Sequence, residues 1–324
     1  MGGGLAVCVG ASLLAWRLAA MPWNSRLQLS ALMIAVAGGM LVGNLLGGSW
    51  IGTLQPGLKF SQQKLLRLGI ILYGIRLTAQ DLLRLGPRAL VLDVVVIACV
   101  LVGGYWVGTR LLRLDQETAL LVSCGSGICG AAAVLAADRV IESESHKASV
   151  AVATVVVFGT AAMFLYPFLY PLTGFSERQF GIYTGATVHE VAHVVAVGRA
   201  VGQVASDTAV LTKMLRVLLL APALLLVGRA RRSGSGKPIA FPWFVLWFLG
   251  VIVAQSFYRP AAPIRSALIE LDTVLLGSAM FALGLGTRWE QMKKAGARPL
   301  LLAAIIFGVL VTGGYLLTAA IATS

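Results

Sequence analysis

Runs of about 20 apolar residues, each long enough to carry a helix across roughly 30 Å of hydrocarbon, recur along the chain and constrain it more than any motif. Clear ones lie at residues 27–47, 90–109, 148–170, 210–227, 241–257 and 300–320, with shorter or glycine-broken runs between them. A backbone facing lipid must satisfy its own hydrogen bonds, so the runs are read as helices. With 58% of residues hydrophobic and 12% charged, the chain excludes a soluble enzyme. It predicts an all-α membrane protein of about ten or eleven transmembrane helices.

A net charge of +13 could suggest a nucleic-acid partner. The Lys and Arg residues, however, fall in short clusters between apolar runs, as loop anchors do, so the expected partner is the lipid bilayer and not nucleic acid. Among them are Lys59, Lys64, Arg229, Arg231, Arg232, Lys293 and Lys294. Their distribution places the amino terminus in the cytoplasm. The first apolar run starts almost at Met1 without a small-residue cleavage site behind it and reads as a retained helix. Connections are short, so residues 1–324 read as one integral domain, with one linker-like basic loop at 229–238, RARRSGSGKP. No Gly-x-x-x-x-Gly-Lys-[Ser/Thr] motif is present, which argues against ATP coupling within the chain. Cys8, Cys99, Cys124 and Cys129 all sit in apolar segments, where Cys8 and Cys99 read as small buried hydrophobes. Tyr73, Tyr105, Trp106, Trp243 and Trp247 read as interfacial aromatics.

Transporters are often inverted repeats, and two internal echoes bear on that. ETALLVS at 117–123 resembles DTVLLGS at 272–278, and both run into glycine-rich apolar stretches, CGSGICG and MFALGLG. The second echo is Gly103-Gly104-Tyr105 against Gly313-Gly314-Tyr315. Both pairings imply opposite orientations; the first is favoured.

Three features could carry chemistry. In Ser123-Cys124-Gly125-Ser126-Gly127-Ile128-Cys129-Gly130 three glycines interrupt what should be a mid-membrane helix. Each costs about 1 kcal/mol relative to Ala, which invites an unwound segment. Freed amides and a following helix start would favour an anion, as in transporters with discontinuous helices; close helix packing through small residues is the competing explanation. His189-Glu190-Val191-Ala192-His193 matches H-E-x-x-H, with both imidazoles expected on one helical face. A zinc protease needs a third ligand. His146 lies in a polar loop beside Glu144 and Lys147, and Asp207 stands in a plain SDT context, so no metal site is expected. His189 and Glu190 read instead as intramembrane proton-exchanging groups. Lys213 and Arg216, spaced i, i+3, project from one side of a helix and could clamp an oxyanion, Arg as a planar fork and Lys as a point charge. Asp93 and Arg76 read as charges close enough to span ends to snorkel or pair locally.

SCGSGICGAAAV, GATVHEVAHVVAVG and LTKMLRVLLLAP together resemble the YeiH-type family of bacterial membrane proteins, labelled as proposed sulfate exporters, from about residue 27 to the end. The resemblance implies an inverted-repeat bundle like that of cation/proton antiporters and bile-acid symporters, in which two broken helices cross. Residues 123–130 would form one crossing and residues 279–286 the other. His193 departs from the family pattern, which has Gln there, so the H-E-x-x-H match reads as incidental.

The expectation is therefore a secondary transporter exporting a small inorganic anion such as sulfate, without catalytic residues or a cofactor. Ser123, Cys124, Gly125, Ser126, Gly127, Ile128, Lys213 and Arg216 would bind the anion, and His189 and Glu190 would couple protons. An importer of another organic solute and an intramembrane zinc protease are the alternatives. A homo-oligomer is compatible with the sequence.

Overall fold

The computed structural model describes residues 2–22, 24, 29–45, 48–230, 242–258, 260–288 and 295–322, and every regular element among them is helical. In chain order these are α1 (Gly2–Ala19), α2 (Ala31–Leu45), α3 (Gly48–Phe60), a π-helical turn (Ser61–Leu65), α4 (Leu66–Tyr73) and a 3-10 turn (Gly74–Arg76). Then come α5 (Ala79–Trp106), extended by a π turn to Leu111, α6 (Gln116–Gly127), α7 (Ala131–Ile141), α8 (Ser145–Thr173), α9 (Glu177–Thr187) and α10 (Val191–Val201). The last are α11 (Gln203–Leu218), α12 (Leu220–Ala230), α13 (Trp243–Phe257), α14 (Ala262–Gly286) and α15 (Ala297–Ala322). Of the expected basic loop at 229–238, residues 231–238 lie outside the described residues, as do Lys293 and Lys294.

Among the described residues, six stretches are long and apolar enough to cross a membrane: Gly2–Ala19, Ala79–Leu111, His146–Thr173, Gln203–Arg229, Ala262–Gly286 and Ala297–Ile321. Ala31–Leu45, Val191–Val201 and Trp243–Phe257 are shorter apolar helices. These are fewer full-length spans than expected, and the stretches at 116–141 and 177–201 are each interrupted into short helices. The 12 residues of α6 rise only about 18 Å, and α7, α9 and α10 have 11 residues each.

Two compact units form. The first comprises Met1–Arg84, Val195–Val201 and Trp243–Trp289; the second comprises Leu85–Val194, Gly202–Pro242 and Glu290–Ser324. In the first, α14 is the central helix, flanked by α1, α2 and α4. Gly39 and Gly43 let α2 lie backbone to backbone on α14: a Cβ on Gly39 would collide with the Phe281 carbonyl, and one on Gly43 would stand 2.7 Å from the Leu285 carbonyl. Gly284 returns the favour against the Val36 carbonyl, a small-residue seam of the kind that replaces hydrophobic driving force in lipid. This corrects the expectation of a second helix break at 279–286. Those residues are helical throughout, and Gly284 serves close packing.

In the second unit α9 packs along α11 through Gly181 and Gly185, which face the carbonyls of Ala205 and Ala209. α6 is sandwiched by α7, α8 and α15. The less favoured echo proves to have matched settings here: Gly104 backs onto the Ser123 side chain of α6, and Gly314 backs onto Thr187 of α9. ETALLVS and DTVLLGS have unlike settings, since Glu117 lies in the half-exposed first turn of α6 whereas Asp272 is fully buried in the middle of α14. Of the residues read as interfacial aromatics, Trp106, Trp243 and Trp247 are exposed, but Tyr73 is buried. Cys8 is buried as expected, whereas Cys99 is exposed.

Candidate functional site

Two helix breaks, both in the second unit, organise the candidate site. The first begins with α6, which Asp115 caps by accepting a hydrogen bond from the Thr118 amide and which is buried from Thr118 onward. The helix ends at Ile128, and Gly130 turns the chain into α7 with φ +79° and ψ −141°, a region open essentially to glycine alone. The break thus falls at 128–130, at the end of the predicted stretch. Ser123 to Gly127 stay helical. The Ile128 amide donates to the Cys124 carbonyl and the Gly130 amide to the Gly125 carbonyl. The amides of residues 125–128, expected to bind an anion, are therefore committed to helix bonds.

The second break follows α9, whose start is fixed by a capping box between Ser176 and Gln179. Its helical geometry stops at Val188, with φ −74° and ψ 139°, and resumes at Val191. His189 and Glu190 therefore lie in the break, which corrects the expectation that both imidazoles of H-E-x-x-H share one helical face. His189 is 1% exposed and neither ring nitrogen has a hydrogen-bond partner. His193 sits under Gly159, with Nδ1 3.9 Å from Glu190 Oε2. Asp207 accepts from Gln203 at 2.7 Å. Among the described residues no three His, Cys, Asp or Glu side chains converge as metal ligands.

The charges at the breaks follow helix electrostatics. Lys213 is fully buried, and its Nζ donates to the carbonyls of Ile128 (3.1 Å) and Val188 (2.6 Å). These two residues cap the carboxyl ends of α6 and α9, where unbonded carbonyls and the helix dipole favour a cation. Glu190 does the converse: its Oε1 accepts from the Ala131 amide at 3.1 Å, at the amino end of α7, and its Cγ packs directly on Gly130. One lysine thus ties two helix ends together and one glutamate occupies the amino end where an anion was expected. Lys213 is a tether here, with two of its three donors spent on carbonyls.

Arg216 stands one turn beyond Lys213, is fully buried, and faces Asp93 of α5, itself fully buried. Nε lies 3.2 Å from Asp93 Oδ1, within ion-pair distance but without the alignment a hydrogen bond requires. Among the described residues, neither Asp93 oxygen and none of the three Arg216 nitrogens has a hydrogen-bond partner. The edge of the guanidinium formed by Nη1 and Nη2 is thus an unused, desolvated pair of donors. Behind it Tyr166 stacks on Tyr183 with ring centroids 5.0 Å apart and donates to Thr187 Oγ1.

Sequence reasoning passed over Asp93, discounting it as a charge near a span end. The signal was available, since Asp93 is a lone acid within LVLDVVVIACV, and an ionisable group inside an apolar span is functional by default. Arg76 likewise does not pair locally. In the first unit its Nε and Nη2 donate to Asp272 Oδ2 at 3.2 and 2.9 Å, and Arg199 Nη2 donates to the same oxygen at 2.9 Å. Both guanidinium groups lie over the Tyr73 ring, 5.3 and 5.7 Å from its centroid.

Known proteins supply the wider setting. Residues 3–303 match the family model described as conserved hypothetical protein 698. A UPF0324 membrane protein of Bacteroides thetaiotaomicron is 46% identical over 303 residues, 90% of each chain. The UPF0324 inner membrane protein YeiH of Escherichia coli K12 is 45% identical over 293 residues, 88% of this chain and 84% of its own. No solved structure matches. With helices long and apolar enough to cross a bilayer several times over and relatives of this kind along nearly its whole length, the chain is a multi-pass inner-membrane protein belonging to the UPF0324 family, alongside YeiH.

Proposed function

We propose that the chain is a secondary transporter that moves a small oxyanion, sulfate or a related sulfur oxyanion, outward across the inner membrane. The observation that carries this reading is the unbonded Nη1/Nη2 edge of the fully buried Arg216. A desolvated guanidinium without hydrogen-bond partners is costly and needs a reason. Its planar fork matches two oxygens of a tetrahedral oxyanion, and in a buried site that bidentate contact is strong. The two helix breaks, held by Lys213 and Glu190, supply irregular backbone next to the fork, as discontinuous helices do in secondary transporters. In this reading each broken pair counts as one crossing. The bundle then has about eleven crossings and resembles cation/proton antiporters and bile-acid symporters, its second break lying at 188–190.

The test is a binding screen of the detergent-purified protein against sulfate, sulfite, thiosulfate, phosphate, chloride and carboxylates, followed by flux in proteoliposomes. Saturable binding of a sulfur oxyanion is expected in the wild type, weakened about 100-fold or more in Arg216→Gln. A folded Arg216→Gln protein that binds and moves the anion like the wild type would overturn the reading. A response to carboxylates alone would move the substrate to an organic anion.

A further inference from the structure

We infer that Asp93 takes up the proton that accompanies the anion, an inference that rests on the oxyanion reading. The argument begins with the charges that face one another in the second unit. Two cations, Lys213 and Arg216, stand against two carboxylates, Asp93 and Glu190. The other titratable groups beside them are Cys129, Tyr166, His189 and His193. With both imidazoles neutral the cluster balances. An oxyanion docked on the Nη edge of Arg216 adds negative charge to a region from which water is excluded, and a buried charge left without a counter-charge is not tolerated. One proton added to a carboxylate offsets one of the two charges that sulfate or thiosulfate brings in.

The two carboxylates are not equivalent. Glu190 accepts a backbone hydrogen bond at 3.1 Å from the amino end of α7, so its partner is a helix end that does not depend on Arg216. Asp93 accepts no hydrogen bond, is 0% exposed, and has Arg216 as its ion-pair partner at 3.2 Å. An anion on the Nη edge must share that one guanidinium with Asp93, at the other side of the same group. The proton comes from the aqueous compartment, forms an O–H bond on an Asp93 oxygen, and leaves when the anion leaves and Arg216 again serves Asp93 alone. Asp93 thereby links anion binding to proton binding, the role the sequence assigned to His189 and Glu190.

The experiment is calorimetric titration of the purified full chain with sulfate and thiosulfate in buffers of different ionisation enthalpy, which counts protons taken up per anion bound. The wild type is expected to take up about one. Asp93→Asn should bind without uptake, its affinity independent of pH across the neutral range, while Asp93→Glu restores uptake. Whatever Glu190→Gln and His189→Gln do to affinity, their protons per anion bound should stay at the wild-type number. Uptake that persists in Asp93→Asn, or that is lost in Glu190→Gln or His189→Gln, overturns the inference. The latter two variants decide it even if Asp93→Asn cannot be purified. Anion binding without proton uptake in the wild type overturns the inference and leaves the oxyanion reading standing; no anion binding at all removes both.

Discussion

The two units each bury an Arg–Asp cluster, and the clusters differ in what is left over. In the first, Asp272 receives three guanidinium hydrogen bonds on a single oxygen, the arginines also reach the Thr273 hydroxyl, and Tyr73 lies beneath both. One acceptor, Asp272 Oδ1, remains unused. In the second, Arg216 and Asp93 meet at 3.2 Å with every side-chain nitrogen and oxygen unbonded. The arginines of the first cluster keep 13% and 15% of their side-chain surface, whereas Arg216 keeps none. The cluster with the worse hydrogen bonding is therefore also the deeper one. A satisfied buried ion cluster holds helices together; under the proposed function, the unsatisfied one leaves donors for an anion that comes and goes.

Replacing each aspartate tests that contrast with the largest expected effect. Asp272→Asn leaves two guanidinium groups sharing a neutral amide and should cost about 3–5 kcal/mol of stability, read as an unfolding transition in detergent that sulfate does not restore. Asp93→Asn also leaves a buried guanidinium without its counter-charge. Here an oxyanion can replace the lost carboxylate, so saturating sulfate should recover stability, by about 2.7 kcal/mol at 100 times Kd. Equal rescue of both variants, or of neither, would erase the distinction between clamp and site.

What the sequence disclosed follows the same divide. Apolar runs announce helices because lipid forces backbone groups to pair within a segment, and the three glycines of SCGSGICG announced a break because glycine is costly in a helix interior. The break at 188–190 was harder to see: Val188, His189 and Glu190 carry no local helix-breaking signal, and the kink is stabilised at a distance by Lys213 on α11. The reverse error came at Gly284, where glycine reports the closeness of another backbone, something only the packed structure supplies. Lys213 and Arg216 stood out as charges in an apolar helix, but their separate roles depend on partners far along the chain: Ile128, Val188 and Asp93.

A smaller effect distinguishes glycines that serve packing from the one that serves the site. Gly130→Ala must place a side chain at φ +79° and against Glu190, costing about 1–3 kcal/mol and pushing the carboxylate off the Ala131 amide. Gly43→Ala is similarly crowded, its Cβ 2.7 Å from the Leu285 carbonyl in the first unit. Thermal unfolding should fall in both, while calorimetric titration should find sulfate affinity altered only in Gly130→Ala. Equal changes in affinity would mean that the break has no special part in the site.

The smallest effect is expected where charges remain in contact with water. At the start of α6, Asp115 caps the helix and lies with Glu117 and Glu144 around Lys147, at 3.4, 2.9 and 3.4 Å. Burial works against the ionised form of Asp115, but the Thr118 amide and hydroxyl and the Lys147 ammonium outweigh it and hold the carboxyl below its usual range. A carboxylate whose folded value is depressed adds stability that is fully present above the unfolded value, near ~3.9, and is lost as pH falls through the lower folded value. Asn caps a helix about as well as Asp, so Asp115→Asn isolates the charge. The variant should melt no more than about 2 °C below the wild type at neutral pH. The gap should close on acidification and shrink in high salt, because exposed pairs are screened. A gap that survives both would place this charge among the buried clusters.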